Sequence, residues 1–263
     1  MSIINNVLAF DIETVPDVDF GRRLHGLETL TDKQVGYVMH TRQREHTGNE
    51  FLSLEQQRVV AISIAMRSRD GFKVWSLGEP DAPEEELVRR FFDGIERLAP
   101  TLVSWNGAGF DLPVLHYRAL RHKVQAHRYW EMGDLEQSYR WNNYISRFHW
   151  RHVDLMDVLA GFQGRGRVGL DQMSQLLGFP GKLGWSGEGV WDAHLQGRSE
   201  DIRHYCETDV VNTYLIYLRF ELMRGRLTHE EHENEVELVR AGLLHAAKPH
   251  LQAYLEAWAK CGN

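Results

Sequence analysis

Asp11 and Glu13 are two carboxylates separated by a single residue at the end of a short apolar run, 7–12. The run lacks helical periodicity and predicts a strand, whose two-residue period places both side chains on the same face. Two carboxylates that close repel each other, so burying them is costly unless a divalent cation compensates. The pair therefore predicts a metal site, although a solvated strand end is compatible with it too.

A glycine-rich turn leads to a third carboxylate in the segment Trp105-Asn106-Gly107-Ala108-Gly109-Phe110-Asp111. The glycines allow tight turning and close approach of the backbone to a ligand. Asp111 is expected at the start of the following helix, where N–H groups and the helix dipole favour a nearby anion or phosphate. The other role open to Asp111 is that of a simple N-cap, and the sequence leaves the two about equally open.

A fourth carboxylate, Asp209, follows Tyr205 by four residues in a helical segment. Residues at i and i+4 share a helix face, whereas Glu207 points elsewhere and is expected to be solvated. An apolar stripe in the same helix predicts packing against a sheet, and it consists of Val210, Tyr214, Tyr217 and Leu218. A charged Asp209 beside that stripe needs a partner or a metal ion.

Strands and helices alternate along the part of the chain that must position these residues. Strands are predicted at 7–12, 58–66, 72–77 and 101–105. Asp70-Gly71 is a hairpin signal, and a fifth strand begins near Val153. Helices are predicted at 83–98, 112–122, 170–177 and 199–223. Residues 14–57 are expected to form helices and loops, and Thr228 begins a capping box that opens the last helix.

These elements predict an α/β fold, a mixed five-stranded sheet with flanking helices. The chain of 263 residues fits one large domain. We expect the domain to span residues 1–225, with 226–263 as a C-terminal helical extension of it.

The net charge of −7 argues against a duplex-DNA binder held mainly by counterion release. It does not exclude a nucleic-acid enzyme, because carboxylates gathered for metals add negative charge to the metal-free protein. Cys206 and Cys261 provide neither a disulfide framework nor zinc-ligand spacing. No apolar run approaches the roughly 20 residues of a membrane span, and no secretory signal is evident. We expect a cytoplasmic protein that does not contact the membrane.

The three acidic elements, in this order, resemble the three motifs of the DEDD 3′–5′ exonucleases. The motifs are Phe10-Asp11-Ile12-Glu13-Thr14, then Asn106 with Phe110-Asp111, then Tyr205 with Asp209. The chain resembles in particular the proofreading exonuclease domain of B-family DNA polymerases, as a stand-alone version covering roughly residues 5–225. The resemblance implies a ribonuclease H-like fold.

The third motif is ambiguous, because DEDD enzymes carry either Tyr-x-x-x-Asp or His-x-x-x-x-Asp and this chain offers both Tyr205 and His204. Three residues separate Asn106 from Phe110, as in the tyrosine class. At about 100° per helical residue, Tyr205 lies about 40° from the direction of Asp209 and His204 about 140°. Both observations favour Tyr205 and leave open whether His204 contributes.

The resemblance implies two Mg²⁺ or Mn²⁺ ions held by Asp11, Glu13 and Asp209, with Asp111 contributing directly or through water. Oxygen ligands suit such ions. Tyr205 would orient the attacking water, because a phenol with a pKa near ~10 is poorly matched to act as a base at neutral pH. The implied reaction releases nucleoside 5′-monophosphates from single-stranded or frayed 3′ ends, with DNA as the expected nucleic acid.

Aromatic and basic residues alternate in the run 139–150 and suggest contacts to a single strand. We expect Tyr144 and Arg147 from this run to contact the substrate, together with Asn106, Phe110 and Lys182. The alternative, which applies to most of the aromatic side chains, is a small core that packs an insertion against the domain.

Other functions compete with exonuclease activity on DNA. One is a 3′–5′ exonuclease acting on RNA or oligoribonucleotides, since the sequence does not distinguish the two sugars. Another is a non-catalytic nucleic-acid-binding module of the same fold. The four carboxylates count against that module, because a site without catalysis has no reason to gather unpaired charge. Protein partners, pathway, oligomeric state and preference for single strands or duplex ends stay open.

Overall fold

The computed structural model describes residues 6–261, and one five-stranded sheet forms the centre of that range. Its strands are β1 (Val7–Pro16), β2 (Gln57–Ser68), β3 (Gly71–Ser76), β4 (Thr101–Ser104) and β5 (His152–Asp154). They lie in the order β3-β2-β1-β4-β5. β1 and β3 are antiparallel to β2, while β4 is parallel to both β1 and β5. The predicted mixed sheet is confirmed, and β1 is its central strand.

Ten α-helices flank the sheet within the described residues. They are α1 (Val18–His25), α2 (Asp32–Thr47), α3 (Glu84–Leu98), α4 (Asp111–His122), α5 (Leu155–Leu159), α6 (Leu170–Leu176), α7 (Val190–Leu195), α8 (Ser199–Met223), α9 (His229–Ala246) and α10 (Pro249–Lys260). As expected, α1 and α2 fill the segment between the first two strands. No helix in the described part of the chain is long and apolar enough to cross a bilayer.

Local sequence signals account for most of the element boundaries. Gly71 has a φ of 112° at the β2–β3 hairpin, a value that favours glycine. Thr228 and Glu231 form both hydrogen bonds of the capping box at the start of α9. The prediction of one last helix was wrong, because the chain turns at Ala247, with a φ of 51°, and Pro249 begins α10. Proline fits the first turn of a helix but not its interior.

Alternate residues of β1 point to the two faces of the sheet, as the period of a strand requires. Leu8 and Phe10 pack with Phe91 of α3 on one face. Val7 and Ala9 pack with α8 on the other. Continuing this alternation directs Asp11 and Glu13 towards the face that α8 covers.

The C-terminal segment packs on the same sheet. Glu235 of α9 accepts two hydrogen bonds from the Arg67 guanidinium of β2, at 2.6 and 2.8 Å, and both side chains are buried. Tyr254 of α10 donates a hydrogen bond of 2.7 Å to Asn212 of α8. α9 and α10 are therefore bound to the sheet and to α8. The ends of the two predicted domain ranges, residues 1–5 and 262–263, lie outside the described residues.

Candidate active site

Asp11 and Glu13 lie on the central strand, where Asp11 pairs with Ser63 and Glu13 with Ala61 of β2. Glu13 is 8% exposed. Burial, reinforced by Asp111, Glu13 and Asp209, raises the pKa of Asp11 well above its usual range. Burial followed by the charge of Asp209 does the same to the pKa of Glu13. The pair is therefore not a solvated strand end.

Cys206 of α8 faces this pair. Its Sγ donates to the backbone oxygen of Asp11 at 3.4 Å and to Asp11 Oδ2 at 3.6 Å. The Sγ and carboxylate oxygens of Asp11 and Glu13 lie within 4.8 Å of one another, close enough to share a metal ion. Burial and the neighbouring carboxylates raise the pKa of the thiol, so Cys206 stays protonated and is a packed neighbour of the carboxylates.

The turn after β4 is held by Asp154 at the carboxyl end of β5. Its carboxylate accepts from the backbone N–H of Asn106 at 3.0 Å and of Ala108 at 2.9 Å. It also caps α5 by accepting from the N–H of Asp157 at 3.3 Å. Asp154 therefore both supports the turn that precedes Asp111 and caps the start of α5.

Close packing inside this turn explains its glycines. Asn106 adopts a φ of 66°. A Cβ on Gly109 would lie 2.6 Å from Asn106 Oδ1, and one on Gly107 would overlap the Ser104 side chain. The turn then delivers Asp111 as the first residue of α4.

Asp111 connects the second motif to the first. Its Oδ1 accepts the backbone N–H of Ile12 at 3.1 Å, and the side chain is 3% exposed. Phe110 is the N-cap of α4, so Asp111 is not the N-cap. Burial raises the pKa of Asp111 to about 7. The carboxylate thus lies against the backbone of β1 at the residue that separates Asp11 from Glu13.

Tyr205 and Asp209 present one face of α8 to the same place. Both are buried, and the Lys182 ammonium donates to the Tyr205 hydroxyl. Lys182 Nζ also lies 3.8 Å from Asp209 Oδ2. Burial raises the pKa of Asp209 to about 6, although Lys182 acts in the opposite direction. Asp209 Oδ1 is buried without a hydrogen-bond partner among the described residues, which leaves an oxygen free for a cation.

His204 and Glu207 lie away from the carboxylates. The rings of His204 and His250 stack with centroids 3.9 Å apart. Glu207 is 2% exposed and accepts hydrogen bonds from Lys248 at 2.9 Å and His250 at 2.8 Å. The expectation that Glu207 is solvated was wrong, because α10 and the residue before it supply its partners. Tyr205, not His204, adjoins Asp209.

A family model matches residues 49–258, and the family is described as a predicted 3′–5′ exonuclease related to the exonuclease domain of PolB. The match covers well over half of the chain. The chain belongs to this family. Its membership confirms the resemblance inferred from the motifs and implies a nucleic-acid substrate and divalent metal ions. No curated protein matches the chain.

The matched range contains two of the three acidic motifs found in the sequence. Asp111, Tyr205 and Asp209 lie inside the matched range, whereas Asp11 and Glu13 precede it. The first motif therefore rests on the residues themselves and on their position beside the other two.

The residues that we expected to contact the nucleic acid lie in different environments. Phe110 is partly exposed, and its ring centroid is 5.5 Å from that of Phe51. Arg147 is half-exposed and lies 4.6 Å from the centroid of the Phe162 ring. Tyr144 requires a correction, because its ring is 2% exposed and its hydroxyl donates to the backbone oxygen of Pro100 at 2.7 Å. Tyr144 packs in a hydrophobic cluster, as expected if the aromatic side chains form a small core, and it is not available to contact the substrate.

Proposed function

We propose that the chain is a 3′–5′ exonuclease of ribonuclease H-like fold that releases nucleoside 5′-monophosphates from single-stranded or frayed 3′ ends of DNA. The convergence of carboxylates from β1, α4 and α8 carries this proposal, together with the unpartnered oxygen of Asp209. Carboxylates that are buried this close together can ionise only if cations compensate their negative charge. Family membership supports the class of reaction.

The proposed cofactors are two Mg²⁺ or Mn²⁺ ions. Asp11, Glu13 and Asp209 would hold them, with Asp111 acting directly or through water. All are oxygen donors, the ligands that both ions prefer. When bound, the ions supply the positive charge that stabilises the attacking and leaving oxygens of phosphodiester hydrolysis. A thiol is a poor ligand for such hard ions, so Cys206 is not part of the proposed ligand set.

Tyr205 acts by positioning the attacking water. Burial, followed by the charges of Asp209 and Glu13, raises the pKa of its hydroxyl far above the usual value, so the phenol stays protonated at neutral pH. A protonated phenol donates a hydrogen bond and does not act as a base. Lys182 donates to the phenol oxygen, which leaves the Tyr205 O–H directed at other acceptors. Lys182 thereby fixes the orientation of Tyr205.

The turn residues Asn106 and Phe110 are the proposed contacts to the terminal nucleotide. Both are partly exposed beside the buried Asp111. A phenylalanine ring offers a face for base stacking, and an amide offers donors and acceptors to the sugar or the base. These contacts align the phosphodiester bond with the carboxylates, which is the main requirement for phosphoryl transfer.

The deciding experiment is digestion of a 5′-labelled single strand by the wild-type protein and by Asp11→Asn and Asp209→Asn. The wild-type protein should produce a ladder of progressively shortened products that requires Mg²⁺ or Mn²⁺. Each variant should lose at least about a thousandfold in rate, equivalent to about 4 kcal/mol of transition-state stabilisation. Asp93→Asn removes an exposed carboxylate of α3 and should leave the rate unchanged. Full activity of either site variant would refute the proposed mechanism.

Matched DNA and RNA strands separate the proposed substrate from its nearest alternative. Faster digestion of DNA supports the proposal. Faster digestion of RNA would reassign the enzyme to oligoribonucleotides without changing the reaction. An intact labelled strand, with no Mn²⁺ binding by calorimetry, would favour the non-catalytic binding module.

A further inference from the structure

A groove of about 1210 Å³ is lined by Glu13 and by one side of α2. It passes Phe110 and Phe51 and is closed on another side by segment 186–192. Its volume exceeds the about 300–1,000 Å³ typical of pockets for small ligands. The groove therefore has room for more than the terminal nucleotide that the active site holds.

One stripe of α2 forms a wall of this groove. Lys33, Tyr37 and Arg44 recur at helical spacing and all line it. Tyr37 is 70% exposed. The opposite stripe carries Val35 and Met39, which are buried. Tyr37 thus offers an exposed aromatic ring to the groove and does not serve the buried core.

The position of α2 is fixed by close packing at a glycine. A Cβ on Gly36 would lie 2.9 Å from the indole ring of Trp191 in α7. Glycine inside a helix costs about 1 kcal/mol relative to alanine, so close approach of the indole accounts for its presence. Val35, Met39 and Leu52 form a buried cluster beneath α2, with Trp191 packed against it. The wall is preorganised in the described structure.

Two phenylalanines connect the groove to the active site. Phe51 is 58% exposed, and its ring meets that of Phe110 with a centroid separation of 5.5 Å. Phe110 directly precedes the carboxylate of Asp111. The aromatic surface therefore extends from the proposed terminal-nucleotide contact to Phe51, and Tyr37 lines the same groove.

The charges along the groove are unevenly distributed. Lys33 has no ion-pair partner among the residues that the structure describes, whereas Arg44 is paired with Glu50. Glu188 and Asp192 line the side formed by segment 186–192. A phosphate backbone is repelled by those carboxylates and attracted by Lys33, which favours the α2 side.

Resting on the proposed function, we infer that this groove binds the single strand on the 5′ side of the terminal nucleotide. Phe51 and Tyr37 stack on successive bases, and Lys33 contacts a phosphate. Aromatic stacking platforms beside basic side chains are how proteins hold single strands without reading their sequence. A duplex presents no free base faces to these rings, so the groove selects single-stranded or frayed ends.

The test compares Tyr37→Ala and Phe51→Ala with Tyr117→Ala, a matched control on α4 that is 46% exposed. Binding of a fluorescent single strand is measured by anisotropy in the Asp11→Asn background, which needs no catalysis. KM is measured in the active background with the same strand and with the p-nitrophenyl ester of thymidine 5′-monophosphate. The ester occupies only the position of the terminal nucleotide.

Each groove variant should weaken strand binding and raise KM for the strand by about tenfold. KM for the small ester should not change in Tyr37→Ala. Phe51→Ala removes a ring that packs against Phe110, so it should raise KM for the strand more than KM for the ester. Tyr117→Ala should match the wild type in every assay. Wild-type strand affinity in both groove variants would overturn the inference while leaving the proposed function intact. Strand binding that depends on Tyr37 and Phe51, without cleavage by the active protein, would overturn only the proposed function. No strand binding at all would overturn the inference.

Discussion

The carboxylate of Asp111 accepts a hydrogen bond of 3.1 Å from the backbone N–H of Ile12, which lies between Asp11 and Glu13. The two residues are 99 positions apart in the chain. Because the bond is buried away from competing water, it is stronger than an ordinary surface hydrogen bond. It fixes the spacing between the first and second motifs, so any residue that holds the turn before Asp111 also controls the distances among the carboxylates.

Asp154 is that residue, and we expect Asp154→Asn to lower kcat on the small ester by about 10–100-fold, as supporting residues of metal sites do. An asparagine amide group would oppose one of the two N–H donors of the turn. Asp157→Asn is the matched control, because Asp157 is equally buried but bonds to Arg167 and not to the turn. Equal losses of kcat in the two variants would contradict a specific role for Asp154.

Lys182 and Tyr205 are expected to act as one unit. Lys182→Met should lower kcat because the phenol loses the donor that orients it, and Tyr205→Phe should lower kcat because the donated hydrogen bond is lost. Residues in one hydrogen-bond network give non-additive effects. The double variant should therefore lose no more activity than the more damaging single variant. If the loss of kcat in the double variant equalled the product of the two single losses, Lys182 would act independently of Tyr205, for example on the substrate.

Without metal ions, Asp111 and Asp209 should make the folded protein less stable as the pH rises. Burial raises the pKa of Asp209 to about 6 and of Asp111 to about 7, against about 3.9 for an unfolded aspartate. Between these values the two carboxylates bind more protons in the folded state than in the unfolded state, so their contribution to the free energy of unfolding falls with pH. The stabilising protonation is complete below about pH 3.9 and is lost as the pH passes through 6 to 7.

The measurement is Tm against pH in the presence of EDTA and then of Mn²⁺. Mn²⁺ should raise Tm more at pH 7 than at pH 5, because only ionised carboxylates bind it. Relative to the wild type, Asp209→Asn should gain Tm between pH 5 and pH 7 in EDTA. The same pH dependence of Tm in both proteins would argue against a raised pKa at Asp209.

Glu207 should contribute to stability and not to catalysis. Burial raises its pKa, but hydrogen bonds from His250 and Lys248 outweigh burial and leave the pKa at about 2. Glu207→Gln should cost about 1.5–3 kcal/mol in the free energy of unfolding, the range for hydrogen bonds to a charged group. Urea unfolding provides the measurement, with Glu256→Gln on the exposed side of α10 as the control. Loss of activity in the folded Glu207 variant would place it in the catalytic machinery instead.

The sequence was most informative where the pattern is local. The two-residue period of β1 predicted that Asp11 and Glu13 share a face, and the i, i+4 spacing predicted that Tyr205 and Asp209 share one. The hairpin at Gly71 needs only adjacent residues, so it too was predictable. The five-stranded mixed sheet followed from the alternation of such elements.

Features that depend on distant partners were not predictable. Glu207 meets Lys248 and His250 more than forty residues later in the chain, and neither spacing nor composition reveals that contact. Tyr144 belongs to an aromatic and basic run that suits a nucleic acid, yet its burial depends on where the segment folds back. The groove along α2 combines residues from separate segments, so it too became visible only in the fold.

Two helical glycines should respond in opposite ways to the same substitution. Gly94 of α3 has open space where a Cβ would be, so Gly94→Ala should stabilise the protein by about 0.5–1 kcal/mol through helix propensity. Gly36→Ala gains the same propensity but places a methyl group 2.9 Å from the Trp191 ring. Overpacking costs about 1–3 kcal/mol, so the net change in the free energy of unfolding should be a loss.

Urea unfolding of the two variants measures the difference between these two glycines directly. If α2 moves away from Trp191 to relieve the clash, strand binding should weaken in Gly36→Ala and stay unchanged in Gly94→Ala. This coupling is expected because Tyr37 follows Gly36 on the same helix and faces the groove. An equal gain in stability for both variants would mean that α2 is loosely held, and the wall of the groove would then not be preorganised by the contact with Trp191.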